Sequence, residues 1–457
     1  MINRTREHEK NTSGLLGARV VLVGLALGFT ASAVLTMLAT STVIQPDQLI
    51  LYVLLPLILA LGLFVVALRS DGIPVNLTIL LVSSFVTLVV CEIGVELIVT
   101  RSPGPRMAED AGRSWDSRTQ TEVIDSLRDI SLRAYPSLPA SVMQQVTVLD
   151  QGDTLRPLAP GIPGAMMVAC NESGNWMISE ADEHGFNNPM GVWSEAPVEI
   201  TVIGDSFVYG ACVNRGETIP DRLREKWPSV VNLGVLSAGP FTELAILKEY
   251  GPVLQPRVVL WIFIERNDAE DLFRESQNPF LREPSKWTSQ SLVNRQAALD
   301  AGVSRWLDSA IAVGPHRFHA PPLQQPRRSL TEVLRLTYLR RLAQIDIPFP
   351  SAVRRLPGFH SIIAQADALT QSWQGKLVLV YIPSYARYRG PFNHPSYKLS
   401  EVFRVGDELG IPLVDLDPII RAQPDPTSLW VHSQGHLNAR GYRVVGQALS
   451  QALSRMR

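Results

Sequence analysis

The stretch Val198-Glu199-Ile200-Thr201-Val202-Ile203-Gly204-Asp205-Ser206 decides the fold of the C-terminal half of the chain. Its first six residues have the length and the β-branched content of a buried strand. The strand ends at Gly204, where the chain can turn sharply and leave Ser206 at the carboxyl edge of a sheet. Ligands of open α/β folds bind at that edge. Ser206 is therefore a candidate functional residue, although Asp205-Ser206 is also typical of a helix N-cap.

Strands and helices alternate after this stretch. Strands are predicted at 230–235, 257–264, 376–382 and 412–416, and helices at 218–226, 241–250, 359–374 and from about 438. This alternation predicts an α/β fold with a doubly wound parallel sheet and helices on both faces, an α/β/α arrangement. A segment at about 276–352 interrupts the pattern. It is too long for a plain loop and predicts a helical insertion.

Four separated blocks carry polar residues at the ends of these elements: Gly204-Asp205-Ser206, Ser237-Ala238-Gly239, Asn267 and Gly435-His436-Leu437-Asn438. In this order they resemble the SGNH (GDSL-type) hydrolase superfamily, over roughly residues 196–457. The resemblance implies a Ser206 nucleophile with His436 as its base. It also implies an oxyanion hole formed by the Ser206 amide, the Gly239 amide and the Asn267 side chain. The second-block glycine aligns with either Ser237 or Gly239.

The acid of the expected triad is missing from its usual place. The superfamily has an aspartate three residues before the histidine, and this chain has Ser433 there. Asp425 and Glu265 are candidate replacements. A serine–histidine dyad and a catalytically silent site are the other two interpretations. His432 is a second histidine near this block, but Gly435-His436-Leu437-Asn438 matches the superfamily far better.

The N-terminal hundred residues predict a membrane anchor. Apolar runs at about 20–39, 49–68 and 73–91 each have about the length of a bilayer crossing, and none contains an internal Lys or Arg. Basic residues in 1–19 and Arg69 predict a cytoplasmic tail at 1–19 and three transmembrane helices within 20–100. The chain from 101 onward then lies outside the inner (plasma) membrane, on the periplasmic side. Cleavage of the first run as a signal peptide after 31–33 is an alternative that leaves this placement unchanged.

Residues 101–195 are predicted to be a mixed N-terminal extension of the outer domain. Cys170 lies in this extension, and Cys212 follows Ser206 by six residues. Oxidising conditions outside the cytoplasm permit a disulfide between them, and two buried free thiols are the alternative. The three cysteines are too few for a disulfide scaffold and lack metal-ligand spacing, so no metal and no cofactor is expected.

These observations favour an enzyme of the envelope. The net charge of −1 excludes the basic footprint of a nucleic-acid-binding protein. The expected partners are the membrane and an acylated carbohydrate or lipid substrate, while no protein partner is indicated. By the resemblance, the chain is a membrane-anchored serine esterase that acts on O-acyl, first of all O-acetyl, esters of an envelope or exported polysaccharide through a Ser206 acyl-enzyme. An O-acyltransferase for such a polymer and a non-catalytic glycan-binding or assembly protein are the alternatives.

Overall fold

The computed structural model of the protein describes residues 2–39, 53–69, 71, 73–99, 114–195, 197–278, 281, 290–313, 336, 339, 356, 358–388, 397–431 and 435–456. The chain divides into two compact units. The first consists of residues 1–100 together with 328–343, and the second of residues 101–327 together with 344–457.

The first unit is helical. Its helices are Ile2–Ala39, Leu55–Ala67 and Ile73–Val99. Within them, Gly14–Val34 and Ile73–Val95 are long and apolar enough to cross a membrane, whereas the apolar helix Leu55–Ala67 has 13 residues, fewer than the ~20 that a crossing needs. The predicted run at 49–68 begins outside the described residues. The Arg19 guanidinium donates to the carbonyl of Arg69 at 2.7 Å, so the start of the first run and the turn before the last helix lie at the same end of this unit.

The second unit is built on a five-stranded parallel sheet. Its strands are β6 (Ile200–Ile203), β7 (Val230–Asn232), β8 (Val258–Ile264), β9 (Lys376–Ile382) and β10 (Leu413–Asp415). The spatial order is β10-β9-β8-β6-β7, and all four pairings are parallel. The chain therefore starts in the interior of the sheet at β6, adds β7 on one side and then reverses to add β8, β9 and β10 on the other. Such a reversal leaves a crevice at the carboxyl ends of β6 and β8, where α/β proteins bind ligands.

Helices cover both faces of this sheet, because the buried strands are apolar on both sides. Alternate residues of β8 enter two separate cores: Val259, Trp261 and Phe263 pack on one face, and Leu260, Ile262 and Ile264 on the other. The helices Pro240–Leu254, Phe359–Ser372 and Tyr397–Leu409 supply the first core. The helices Ile219–Arg224, Asp417–Arg421 and Ala439–Met456 supply the second. The result is the expected α/β/α arrangement.

The extension before β6 carries two small sheets. Strands β1 (Ala134–Pro136), β4 (Met166–Val168) and β5 (Ile178–Glu180) form a three-stranded sheet, and β2 (Val148–Asp150) pairs with β3 (Asp153–Leu155). The helix Gln120–Asp129 precedes them and begins with a capping box between Thr119 and Glu122. The short helices Ala140–Met143 and Val192–Ser194 complete the extension. The loop between β4 and β5 contains Cys170 and Glu172.

The predicted insertion is helical where the structure describes it. The helix Asp268–Ser276 follows β8, a 3₁₀ turn covers Leu292–Arg295, and the helix Gln296–Val313 comes next. Most of 314–357 lies outside the described residues. Three more short elements lie near the carboxyl edge of the main sheet: the helix Ser206–Tyr209 and the 3₁₀ turns Tyr385–Tyr388 and Pro426–Leu429.

Candidate active site

Ser206 lies on a sharp turn between β6 and the helix Ser206–Tyr209. The turn needs glycine at 204, because a Cβ there would lie 2.5 Å from the Val208 side chain and 3.1 Å from the carbonyl oxygen of Ile262. The Asp205 carboxylate caps the helix by accepting from the Phe207 amide at 2.8 Å. The helix-capping interpretation of this motif therefore holds for Asp205, while the Ser206 hydroxyl is left to face the crevice.

His436 comes from the other end of the chain and lies beside this serine. Its Nε2 is 2.8 Å from Ser206 Oγ. The loop that carries it is fixed by Asn438, whose side-chain amide donates to the carbonyls of Ser428 and Trp430 at 2.8 and 3.1 Å. The structure thus brings together the two residues that the resemblance placed in the roles of nucleophile and base.

The third member of the constellation is Glu172, which sequence reasoning missed. Its Oε1 is 3.0 Å from His436 Nδ1, and its Oε2 accepts from the His436 backbone amide at 2.9 Å. These contacts favour the tautomer in which Nδ1 carries the proton and Nε2 accepts from Ser206 Oγ. Side-chain exposure is low, 14% for His436 and 24% for Glu172. The result is an unbroken serine–histidine–glutamate chain of hydrogen bonds.

Neither of the two predicted acids supports His436, and this part of the prediction is wrong. Asp425 caps the 3₁₀ turn Pro426–Leu429 and accepts from the Thr427 amide and hydroxyl at 3.0 and 2.7 Å. Glu265 is buried and forms an ion pair with Arg387 at 2.8 and 3.0 Å. Both carboxylates are therefore engaged elsewhere. Ser433 and His432 lie outside the described residues.

The predicted oxyanion hole is only partly present. The Gly239 amide donates to the buried Glu275 carboxylate at 2.9 Å, so its hydrogen does not face the crevice. The side-chain nitrogen of Asn267 donates to Asp205 at 2.7 Å and to Asp271 at 2.9 Å, which uses both of its N–H bonds. The Ser206 amide, at the first position of its helix, is among those for which a helix supplies no acceptor.

Ser237, the other position considered for the second-block glycine, has the conformation that a glycine would adopt. Its φ is 55°, in the left-handed region, and its side chain is exposed. Within the part of the chain that the structure describes, its backbone amide donates no hydrogen bond. Ser237 thus fits the glycine position of the second block better than Gly239 does.

Five acidic side chains are buried behind Ser206, and no sequence motif predicted their burial. They are Asp205, Glu243, Asp268, Asp271 and Glu275. Burial raises the pKa of each of these carboxyl groups, and that of Asp271 to about 7. Charge repulsion from Asp205, Glu243 and Asp271 raises the pKa of the Asp268 carboxyl further. A signal existed in the helix after β8, where positions 268, 271 and 275 share the face that packs against the protein.

Cys170 and Cys212 are joined by a disulfide with a Cα–Cα distance of 5.4 Å. Cys212 Sγ lies 3.7 Å from His436 Nδ1. Glu172, Cys212 and His436 have the ligand types and spacing of a metal site. The disulfide removes the thiolate that such a site would use, so this cluster offers two ligands where a structural zinc site needs four.

The polar segment 182–189, which precedes β6, forms a structural turn. The buried Asp182 carboxylate accepts from the amides of His184 and Phe186 and from the side chains of Asn188 and Trp193. His184 faces Gln296, with Nδ1 3.1 Å from its Oε1. Asn187 donates to the carbonyl of Tyr209 at 2.8 Å and so holds the end of the nucleophile helix.

Comparison with known proteins gives a limited result. No protein-family model matches the chain, and no curated protein matches it. A candidate lipolytic protein of the G-D-S-L family from Desulfitobacterium hafniense DCB-2 is similar in structure, with 13% identity and a TM-score of 0.32 over 56% of this chain and 98% of that one. A candidate acylhydrolase from Bacteroides fragilis NCTC 9343 is similar with 12% identity and a TM-score of 0.30 over 57% of this chain and 89% of that one. The first of these proteins is named for the G-D-S-L family, and both TM-scores are too low to carry any argument about this chain.

Proposed function

We propose that this chain is a membrane-anchored serine ester hydrolase of the SGNH type. The observation that carries the proposal is the hydrogen-bond chain from Ser206 Oγ through the His436 ring to the Glu172 carboxylate. A free serine is a poor nucleophile, and it becomes reactive when a base accepts its proton and an acid orients that base. All three parts lie at the crevice formed by the reversal of strand order, where an α/β protein binds its substrate.

The geometry supports acyl transfer in two steps. Ser206 Oγ attacks the ester carbonyl carbon while His436 Nε2 accepts the hydroxyl proton, and the carbonyl oxygen becomes an oxyanion. Collapse of this intermediate breaks the bond to the alcohol, which takes the proton from His436, and leaves an acyl-serine. Water then attacks the acyl-serine with His436 again as the base, and the products are the carboxylic acid and free Ser206. Glu172 holds the imidazole in its tautomer and stabilises the imidazolium in both steps.

The oxyanion donors that fit best are backbone amides. The Ser206 amide is at the first position of its helix, and we assign the role that the prediction gave to Gly239 to the Ser237 amide, which donates no hydrogen bond among the described residues. Asn267 holds Asp205, whose carboxylate caps the same helix. We therefore assign Asn267 a positioning role through Asp205.

The proposed substrate is an O-acyl, first of all O-acetyl, ester of an envelope or exported polysaccharide. It rests on the superfamily resemblance and on the helical unit, whose long apolar side chains at Val20, Leu27, Ile58, Leu61 and Ile79 are more than 60% exposed and fit a lipid environment. An argument for the non-catalytic alternative was the absent aspartate. The Glu172 carboxylate beside His436 Nδ1 supports the catalytic proposal over this alternative.

The proposed location is the inner membrane, with the second unit on the periplasmic side. Two helices are long enough to cross on their own, and three crossings require that the whole apolar run at 49–68, which includes the helix Leu55–Ala67, also spans the membrane. The contact between Arg19 and the carbonyl of Arg69 supports a common side for the tail and the 69–72 turn. The disulfide between Cys170 and Cys212 supports an oxidising compartment for the second unit. Alkaline phosphatase fused to the C-terminus is expected to be active, and an inactive fusion with an active cytoplasmic reporter would contradict the orientation.

The decisive experiment combines labelling with turnover. The full-length protein in detergent should react with a fluorophosphonate probe at Ser206 and should release acetate from an aryl acetate and from acetylated glycans. A Ser206→Ala variant should do neither. Transfer of the acetyl group to a glycan without acetate release would favour the acyltransferase. A folded wild type that labels no more than Ser206→Ala, yet binds glycan, would favour the non-catalytic binding protein.

A further inference from the structure

The residue that completes the proposed triad is two positions away from a disulfide-bonded cysteine. Cys170 and Glu172 both lie in the loop between β4 and β5, outside the five-stranded sheet. Cys212 lies just after the nucleophile helix Ser206–Tyr209. The disulfide therefore connects the loop that carries the acid to the segment that carries the nucleophile.

The disulfide and the hydrogen bonds between Glu172 and His436 join this loop to the segments that carry the nucleophile and the base. Among the described residues, its other hydrogen bonds run within the loop and to the preceding segment; for example, the Met177 amide donates to the Cys170 carbonyl at 2.9 Å, and the Asn171 side chain donates to the carbonyl of Asp116 at 2.9 Å. The contacts of Glu172 with His436 span 264 residues of sequence. Holding a carboxylate at 3.0 Å across such a separation requires that its loop be fixed, since a misplacement of about 1 Å can cost a hundredfold in rate.

The sulfur of Cys212 also shares a neighbour with Glu172. It lies 3.7 Å from His436 Nδ1, the same ring nitrogen that the glutamate contacts. In the disulfide this sulfur carries neither a proton nor a charge. In the reduced protein it would be a thiol that can compete with Glu172 for the ring nitrogen.

We infer that Cys170 and Cys212 are positioning residues of the active site: their disulfide holds Glu172 against His436, and the triad is fully assembled only in the oxidised protein. This inference rests on the proposed esterase function and adds a condition to it. The chain would then be active in an oxidising compartment and weakly active before its disulfide forms.

The test is a double-mutant cycle on the full-length protein in detergent. Wild type, Cys170→Ala/Cys212→Ala, Glu172→Gln and the triple variant are all made with Cys91→Ala, because Cys91 is the free, exposed cysteine of the helical unit. Loss of the disulfide alone should lower kcat for an aryl acetate about 10- to 100-fold with little change in KM. The same loss in the Glu172→Gln background should change kcat less than about threefold, because the residue that the disulfide positions is already gone. Equal losses in both backgrounds, or no loss in either, would overturn the inference.

A second measurement detects the contact between Glu172 and His436 independently of enzymatic turnover. The Nδ1 proton of His436, hydrogen-bonded to Glu172, should give a downfield NMR resonance in ¹⁵N-histidine-labelled protein, and this resonance should disappear in Cys170→Ala/Cys212→Ala. An unchanged resonance would overturn the inference even in an active esterase. An inactive wild type whose resonance depends on the disulfide would instead overturn the esterase function and leave the positioning role intact.

Reduction covers the case in which the alanine variants do not fold. Dithiothreitol would break the S–S bond of the folded wild type: each sulfur gains one electron and one proton, while the reagent is oxidised to its cyclic disulfide. We expect kcat and the His436 resonance to be lost together and to return together on reoxidation. Full activity of protein shown by alkylation to have both thiols free would refute the positioning role.

Discussion

The nucleophile segment and the acid loop reach the same histidine in different ways. Ser206 lies on a turn whose shape is set within five residues, by Gly204, by the Asp205 cap and by β6 in the interior of the main sheet. Glu172 lies in a loop of a small peripheral sheet, and its contact with His436 depends on a disulfide and on hydrogen bonds across 264 residues. The first arrangement is encoded locally, and the second depends on the completed fold.

This difference indicates which residues of a site can be displaced while the fold stays intact. A group fixed by a strand and a tight turn keeps its place as long as the sheet is intact. A group brought in by a loop can be misplaced while the fold survives, because loops are the less stable parts of a domain. Substitutions in the two regions should therefore differ in whether they affect activity, stability or both.

The largest effect is expected at the nucleophile. Ser206→Ala should lower kcat for an aryl acetate by about 10⁶-fold and should abolish fluorophosphonate labelling, because no other group forms the acyl-enzyme. Ser309→Ala is the matched control, since it removes an exposed serine hydroxyl of the helix Gln296–Val313, which has no role in the proposed site. If the control variant lost as much activity as Ser206→Ala, the assignment of Ser206 as the nucleophile would be wrong.

The acid loop should show a smaller but still large effect. Glu172→Gln should lower kcat by about 10⁴-fold, the loss seen when the acid of a triad is replaced by its amide. Asp425→Asn should stay within about threefold of the wild type, because this exposed carboxylate only caps a 3₁₀ turn. The pair is compared by steady-state kinetics. A larger loss of kcat in Asp425→Asn than in Glu172→Gln would indicate that Asp425, as the sequence suggested, is the acid of the triad.

Glu265→Gln separates stability from activity in the same comparison. It leaves the Arg387 side chain, which is 5% exposed, with only its longer contact to Asp417 at 3.9 Å, and should lower the free energy of unfolding by at most about 3–5 kcal/mol. The kcat of the folded fraction should stay within a few fold of the wild type. Thermal unfolding and active-site titration measure the two effects. A stable variant with a hundredfold lower kcat would indicate that Glu265 acts on the reaction.

The sequence predicted the parts of the site that local patterns encode. The strand before Gly204 and the strands of the main sheet are continuous apolar runs, and Ser206 and His436 lie at the ends of predicted elements. The oxyanion donors were less predictable, because Gly239 and Asn267 are held by the carboxylates of Glu275 and Asp205, whose burial no motif revealed. The direction in which the Gly239 amide and the Asn267 side chain donate depends on how helices pack against one another, and the sequence alone does not reveal that packing.

Glu172 was missed for a related reason. Its role depends on a loop that joins two three-residue strands, and such short strands give a weak signal in a sequence. One clue was present: a disulfide between Cys170 and Cys212 would place the adjacent Glu172 close to the residues that follow Ser206. The disulfide and the missing triad acid together point to Glu172, whereas neither does so alone.

Asn267 should show an intermediate effect. Asn267→Ala removes the amide that joins Asp205 to Asp271, and we expect kcat to fall about 10- to 100-fold as the cap of the nucleophile helix loosens. KM should change little, because the side chain faces the two carboxylates. A loss of a thousandfold or more at constant KM would mean instead that Asn267 turns to donate to the oxyanion in the transition state.

The smallest effect concerns the pH dependence of stability. Burial raises the pKa of the Asp271 carboxyl from 3.8 to about 7 in the folded protein. Between these two values the native state keeps a proton that the unfolded state has released, so stability falls as pH rises from about 4 to 7 and is constant for this group above that. The contribution lost is at most about 4 kcal/mol, and the carboxyl group is only 4% exposed, so solvent screens it little.

Asp271→Asn removes this titration while it keeps an oxygen that can accept from Asn267. The difference in melting temperature, variant minus wild type, should therefore be several degrees larger at pH 8 than at pH 5. Only the wild type loses stability through ionisation of this group as the pH rises. Glu270→Gln, on the exposed face of the same helix, is the control and should follow the wild type at both pH values. Parallel melting curves of Asp271→Asn and the wild type across this range would show that Asp271 is ionised at little cost. In that case the acid cluster behind Ser206 would be open to water, and the nucleophile segment would be less rigid than its contacts indicate.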